Sequence, residues 1–223
     1  CRDNARRCSV FWTDKNECLR CHGDYAGIQF DRDVANVKQI LDNIQDYVPG
    51  YQNQGFDLEG FLFWQGWNDV IEKEYSSKYE ENLKRYINAQ LNEFKSYSGE
   101  KKFVVASIGF NGFQGFTANQ ELVFEAQMSV DGSKFKEYEG NVTAIDTRPY
   151  WVGKEFSPSQ TAGYHYNNNA NTFIQVGEAM ALAMIDLLPD ESTVQPSISL
   201  EPSLTPSPTV RPSISLEPSS KPT

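Results

Sequence analysis

Two short stretches, far apart in the chain, carry residue types at spacings that acyl-transfer chemistry could use. The first is Gly60–Asp69, GFLFWQGWND, where an apolar run ends abruptly in Gln65, Gly66, Trp67, Asn68 and Asp69. A side-chain amide such as that of Asn68 can donate a hydrogen bond to a developing oxyanion. Gly66 allows a tight turn or a close backbone approach to a substrate. The second stretch is Gly163–Asn167, GYHYN, holding His165, one of two histidines in the chain; the other is His22. Imidazole is the side chain best matched to proton transfer near neutral pH. Tyr164, Tyr166 and the consecutive asparagines Asn167, Asn168 and Asn169 surround it with hydrogen-bonding groups suited to a sugar. An acid to orient the imidazole has two candidates, Asp69 beside Asn68 and Asp146 at the end of NVTAID. Every one of these residues also has an ordinary reading. Gly66–Asp69 can be a plain Gly-Asx turn, His165 a surface loop residue, and either aspartate a cap or turn residue.

A nucleophile is harder to find. Ser107, in VASIG, lacks the first glycine of a nucleophile elbow and lies inside an apolar run, so it reads as a core serine. The other serines fall in loops, on helix surfaces or in the C-terminal tail. All four cysteines, Cys1, Cys8, Cys18 and Cys21, lie within the N-terminal segment. Such clustering reads as disulfides, a metal site or haem attachment. Cys18-Leu-Arg-Cys21-His22 has the short haem-attachment spacing, and Cys8, Cys18, Cys21 and His22 could hold zinc, though in no common finger spacing. Disulfides in an oxidising compartment are the preferred reading. The N-glycosylation acceptor Asn141-Val142-Thr143 agrees with an extracellular, cell-surface or cell-wall location.

For the two stretches to meet, ordered elements must carry them. Val34, Val37, Ile40, Leu41 and Ile44 recur at helical spacing, predicting a helix from Asp31 to about Tyr47, ahead of Pro49-Gly50. The run Phe61–Trp64 has the length of a fully buried strand. Tyr79, Leu83, Tyr86, Ile87, Leu91 and Phe94 predict an amphipathic helix, broken early, over residues 70–97. Phe103–Ile108 is a second buried strand, followed by the glycine-rich Gly109–Gly115. Glu121–Val130 reads as helical and Asn141–Asp146 as a third strand. Phe173–Leu188 reads as a last helix, with Gly177 and alanines 179, 181 and 183 permitting close packing. Strands alternating with helices imply an α/β fold with a parallel sheet, whose ligand crevice lies beyond the C-terminal ends of the strands. About three strands are visible, fewer than a free-standing domain of this class carries, and the missing ones are expected upstream of Cys1.

The chain divides into a Cys-rich segment (1–22), a partial α/β domain (23–190) and a tail rich in Pro, Ser and Thr (191–223). In the tail TVQPSISLEPS is echoed by TVRPSISLEPS. Such a segment cannot build a core and reads as a disordered linker or stalk. The formal net charge of −10 over 223 residues argues against nucleic acid or an anionic membrane as partner. No run of apolar residues reaches the length of a membrane span.

GFLFWQGWND, together with GYHYNNNANTFIQVGEAMALAM (residues 163–184), resembles the sialate O-acetylesterase-like carbohydrate esterases of the SGNH hydrolase superfamily. NVTAIDTRPYW, residues 141–151, is similar to that family's strand-plus-aromatic segment. The tail is similar in composition to tails on proteins of diatoms and related algae. The resemblance implies a flavodoxin-like three-layer α/β/α sandwich that hydrolyses O-acetyl esters of carbohydrates without a cofactor. It implies His165 as general base, Asn68 and Gly66 on the oxyanion side, and a nucleophilic serine in a Gly-x-Ser-Asn-like block. Gln65, Trp67, Tyr164, Tyr166 and Asn167 would contact the sugar. The serine block is absent from these 223 residues. Where many members of the superfamily carry an aspartate three residues before the histidine, this chain has Ala162, and where some carbohydrate esterases follow Gln-Gly with a glutamate it has Trp67. The acid is therefore unassigned between Asp69, Asp146 and a dyad without a carboxylate. The competing reading is an inactive carbohydrate-binding or wall-associated protein with the same fold, using Trp151, Tyr164, Tyr166 and the asparagines to hold sugar.

Overall fold

A computed structural model describes residues 27–189. The four cysteines with His22, and the repeat tail, lie outside the described residues, and with them the disulfide, zinc and haem readings.

Three parallel strands form one sheet in the order β1-β2-β3: β1 is Gly60–Trp64, β2 Lys102–Ala106 and β3 Val142–Ile145. The register runs from Gly60 opposite Lys102 to Trp64 opposite Ala106, and from Phe103 opposite Val142 to Ala106 opposite Ile145. All strand C-termini therefore open at one end, as parallel βαβ crossovers require. The central strand β2 is buried along its whole length.

Alternate residues of a strand face opposite sides. On one side Phe63, Phe103 and Val105 pack with α1 (Ile28–Asp42), α4 (Tyr79–Glu93) and α5 (Ala118–Ser129) through Phe30, Val34, Leu83, Tyr86, Ile87 and Val123. On the other, Val104 and Ala106 pack against Val176 and Met180 of α6 (Ala170–Leu187). The short helices α2 (Ile44–Tyr47) and α3 (Lys73–Ser76) complete the set. Helices thus cover both faces of the sheet. Among the described residues no helix is long and apolar enough to cross a membrane.

Local chemistry explains where the elements begin. The α5 helix starts at Ala118, ahead of the expected Glu121, because Thr117 and Gln120 form a reciprocal capping box. The α6 helix starts at Ala170 because the Asn169 side chain accepts from the N–H groups of Asn171 and Thr172. The first helix breaks at Asn43, so the expected single helix is α1 followed by α2.

Three packing expectations need correction. β1 is not fully buried: Leu62 is 55% exposed, because among the described residues β1 pairs on one side only and α6 packs over β2 and β3. Val37 and Ile40 of α1 are exposed although they fit its apolar period. On α6, Gly177 has open space around it and Ala181 is exposed, while Ala183 does pack toward the sheet.

Candidate functional site

At the C-terminal end of β1 the chain turns at Gly66, whose φ is 149°. A Cβ there would lie 2.6 Å from Ile108 Cγ2 and 3.2 Å from both Gln127 Nε2 and Val123 Cγ1. Backbone conformation and lack of room both demand glycine. A single 3-10 turn follows over Asn68–Val70, with Asp69 N–H donating to Gly66 O (3.2 Å) and Val70 N–H to Trp67 O (3.3 Å). The Asn68 side chain is exposed and makes no hydrogen bond to a described residue.

Beneath this turn lies a buried polar chain. Gln127, fully buried on α5, donates from Nε2 to Gln65 O (2.6 Å) and to the Tyr79 hydroxyl (3.0 Å). Its Oε1 accepts from Ile108 N–H at 2.7 Å. Tyr79 in turn donates to Gln65 Oε1 (3.0 Å), and Gln65 Nε2 donates to Asp69 Oδ2 (2.7 Å). Asp69 is 2% exposed and faces this network. Burial pushes the Tyr79 phenol well above its ordinary pKa and the Asp69 charge adds to the rise, while the Gln127 hydrogen bond opposes it. Buried polar groups linked this completely hold the segments that carry them in one arrangement.

The second wall is the segment Gly163–Asn168, two short turns separated by a kink. Tyr166 has φ 50° and Asn167 φ 54°. The left-handed region suits asparagine but is costly for tyrosine, so the surroundings must impose it. They do so through several bonds. The Tyr166 hydroxyl accepts from Trp64 Nε1 (3.1 Å) and Gly109 N–H (3.3 Å), and its ring packs on Trp64, Phe110 and Trp151. Burial raises its pKa to about 12. Asn167, 3% exposed, donates from Nδ2 to Val152 O at 3.0 Å. His165 sits between these anchors, exposed, with its ring centroid 4.4 Å from that of Tyr164. No side-chain hydrogen bond joins the imidazole to a described residue.

The two walls enclose an open cleft of about 300 Å³. Gln65, Gly66, Trp67 and Asn68 line one side and Tyr164, His165 and Tyr166 the other. Trp67 bridges them, edge-on to Phe110 at 4.8 Å and tilted against Tyr164 at 5.5 Å. The residues nominated from sequence therefore divide into three groups. His165, Asn68, Gly66, Trp67 and Tyr164 line the cleft, with the His165, Asn68 and Tyr164 side chains exposed. Gln65 and Tyr166 line it but have their polar atoms engaged in the wall. Asp69, Asp146 and Asn167 are not among its lining residues.

Asp146 instead pairs with Arg148, whose Nη2 lies 2.7 Å from Oδ2 and whose backbone N–H donates to Oδ1 at 2.9 Å. The guanidinium stacks 4.2 Å above the Phe124 ring. Ser107 is fully buried; its Oγ accepts from Thr147 N–H at 3.1 Å, which is the structural role its apolar surroundings suggest. The described residues that line the cleft include no serine, threonine, cysteine, aspartate or glutamate. Among the described residues no group of three or more His, Cys, Asp or Glu could hold a metal ion. Sequence reading missed Gln127 and treated Tyr79 as an apolar helix position. The available signal was a glutamine inside the apolar stretch LVFEAQMSV.

No protein-family model and no curated protein matches the chain. Among solved structures, a protein from Arabidopsis thaliana, AT4G34215, matches with a TM-score of 0.48 and 16% identity, over 76% of this chain and 56% of that one. This chain thus spans little more than half the length of that protein. The likeness is distant, and the reading of the site rests on the geometry: a helix-flanked parallel α/β sheet with a cleft at its C-terminal end, between the Gln65–Asn68 turn and the His165 loop.

Proposed function

We propose that this chain is the base-and-oxyanion half of a carbohydrate O-acetylesterase, sialate O-acetylesterase-like, with a flavodoxin-like SGNH hydrolase fold. The observation that carries the reading is convergence. Residues 66–68 and 164–165, about a hundred positions apart, meet in one cleft beyond the carboxyl ends of parallel strands, where α/β sheets place ligands.

In this mechanism a serine from outside the 223 residues attacks the acetyl carbonyl. His165 takes the serine proton as the new C–O bond forms, and the negative charge collects on the carbonyl oxygen. The Asn68 side-chain amide, free in the cleft, donates to that oxygen, with the Gly66 turn setting its position. The tetrahedral intermediate collapses as His165 returns the proton to the departing sugar oxygen. Water, deprotonated by His165, then releases acetate and restores the serine. No step requires a cofactor. Trp67 and Tyr164 offer apolar ring faces to the sugar. The setting is an extracellular or cell-surface one, with no nucleic acid as partner.

The absence of a carboxylate partner for His165 among the described residues favours one second reading, a sugar-binding protein without turnover. Acetate release from an acetylated sugar by the protein with its upstream sequence separates the two. Turnover lost in His165→Ala supports the esterase; saturable binding of acetylated sugar without acetate release supports the binding protein.

A further inference from the structure

Gln127 reaches the ends of two strands at once. Its buried amide accepts from Ile108 N–H, just beyond β2, and donates to Gln65 O, just beyond β1. It occupies the concave side of the Gly66 turn, 3.2 Å from where a Cβ on Gly66 would lie. A primary amide supplies two donors and an acceptor, and all are engaged here: Gln65 O, Tyr79 Oη and Ile108 N–H. An apolar side chain of similar size would fill the same space without the desolvation cost of an amide. The hydrogen bonds run in one direction, from Gln127 to Tyr79, to Gln65 and to the Asp69 carboxylate within the 3-10 turn that carries Asn68.

We infer that Gln127 is a positioning residue for the cleft: through Gln65 and Tyr79 it fixes the Gly66–Asn68 turn against β2, and so sets where the Asn68 amide stands relative to His165. It does not line the cleft and touches no substrate. The kinetic part of the inference rests on the esterase reading above; the structural part does not.

The test exploits the chemistry of Gln127→Glu. When protonated, a glutamic acid can still donate to Gln65 O and accept from Ile108 N–H. When ionised it has no donor and opposes Gln65 O. The titratable groups about it are Tyr79 on α4, Asp69 beyond Gln65, and Tyr166 from the His165 loop, which acts on Tyr79. Burial raises a carboxyl pKa, so this transition falls between about pH 5 and pH 9.

In the 223-residue chain, the NMR resonances of Gly66, Trp67 and the Asn68 side-chain amide are followed in wild type, Gln127→Glu and the volume-matched Gln127→Met. The glutamate variant, which when protonated keeps one of the two donated bonds, should lie nearest wild type at low pH and move away as pH rises. The methionine variant should be displaced at every pH. In the complete esterase, kcat of Gln127→Glu should fall roughly 100-fold over the same interval with KM little changed, as misplacing a catalytic group does. Folded variants whose Gly66–Asn68 resonances coincide with wild type at all pH values overturn the positioning role. Should both fail to fold, Gln127→Asn carries the test, since its shorter amide cannot reach Gln65 O and Ile108 N–H together; unmoved resonances there also overturn it. Resonances that move as expected in a protein that releases no acetate refute the esterase reading and leave the positioning role standing.

Discussion

The two walls of the cleft are built by opposite means. The Gln65–Asn68 turn rests on a buried network in which Gln127, Tyr79, Gln65 and Asp69 satisfy one another, and Gly66 removes any steric cost of the turn. The His165 loop instead holds Tyr166 and Asn167 in the left-handed region, pinned by hydrogen bonds on either side, while the exposed imidazole makes no side-chain hydrogen bond among the described residues. One wall fixes its turn through buried polar bonds and the other fixes its loop through pinned left-handed backbone, and each leaves one exposed polar side chain, Asn68 or His165, at the cleft. On the proposed esterase reading the buried network would serve the oxyanion side, where preorganised donors lower the barrier without reorganising during the reaction. On the same reading His165 would take its orientation from the serine it activates.

That contrast can be broken or sharpened by substitution, starting with the largest expected effect. His165→Ala in the protein with its upstream sequence should reduce release of acetate from an acetylated sugar to background; retained turnover removes His165 from the mechanism. Asn68→Ala should raise the acylation barrier by roughly 2–4 kcal/mol with no change in melting temperature, as loss of one oxyanion donor does. A variant that loses stability but keeps its turnover per folded molecule would return Asn68 to the role of a turn residue. Gly66→Ala should lower stability by about 1–3 kcal/mol, the cost of overpacking, since a methyl there meets Ile108 and Gln127. Denaturant unfolding measures this directly, and a neutral result would show that the turn is not fixed.

A smaller effect concerns pH. Tyr166, pushed up to about 12 by burial, keeps its proton in the folded state where an unfolded tyrosine has lost it. The stability this contributes is complete below about pH 10, the unfolded tyrosine pKa, and is lost as pH rises through the folded value. Tyr79 adds in the same direction. Alkaline unfolding between about pH 10 and pH 12 should therefore be less steep in Tyr166→Phe than in wild type. Equal steepness would mean that the hydroxyl is not held neutral by the loop. Smallest of all, Asp146→Asn should leave turnover essentially unchanged, because that carboxylate serves Arg148 and not the cleft. A collapse of kcat at unchanged stability would make Asp146 the missing acid.

Much of this organisation is legible in the residue order. The run ending at Trp64, the run Phe103–Ile108 and the NVTAID segment each announce a strand, since short apolar runs bounded by polar or glycine residues leave little alternative. GFLFWQGWND and GYHYN likewise mark the two segments that meet at the cleft. The exposure of Leu62 was not legible, because period and hydrophobicity say nothing about which strand stands at a sheet edge. Nor was the role of the asparagines. In sequence Asn167 and Asn169 look like a sugar-binding row, yet one holds Val152 O from a left-handed backbone and the other caps α6. The Gln127 network joins residues up to 62 positions apart, and long-range polar pairing has no local periodicity to betray it.

The central claim is that this cleft activates a serine that is not part of these 223 residues. A fluorophosphonate probe, which phosphonylates only an activated serine, tests it when applied to the protein with its upstream sequence and the labelled peptide is located by mass spectrometry. The account predicts a single labelled serine upstream of Cys1, with labelling lost in His165→Ala. A label on any serine within residues 1–223, or labelling indifferent to His165, would contradict it.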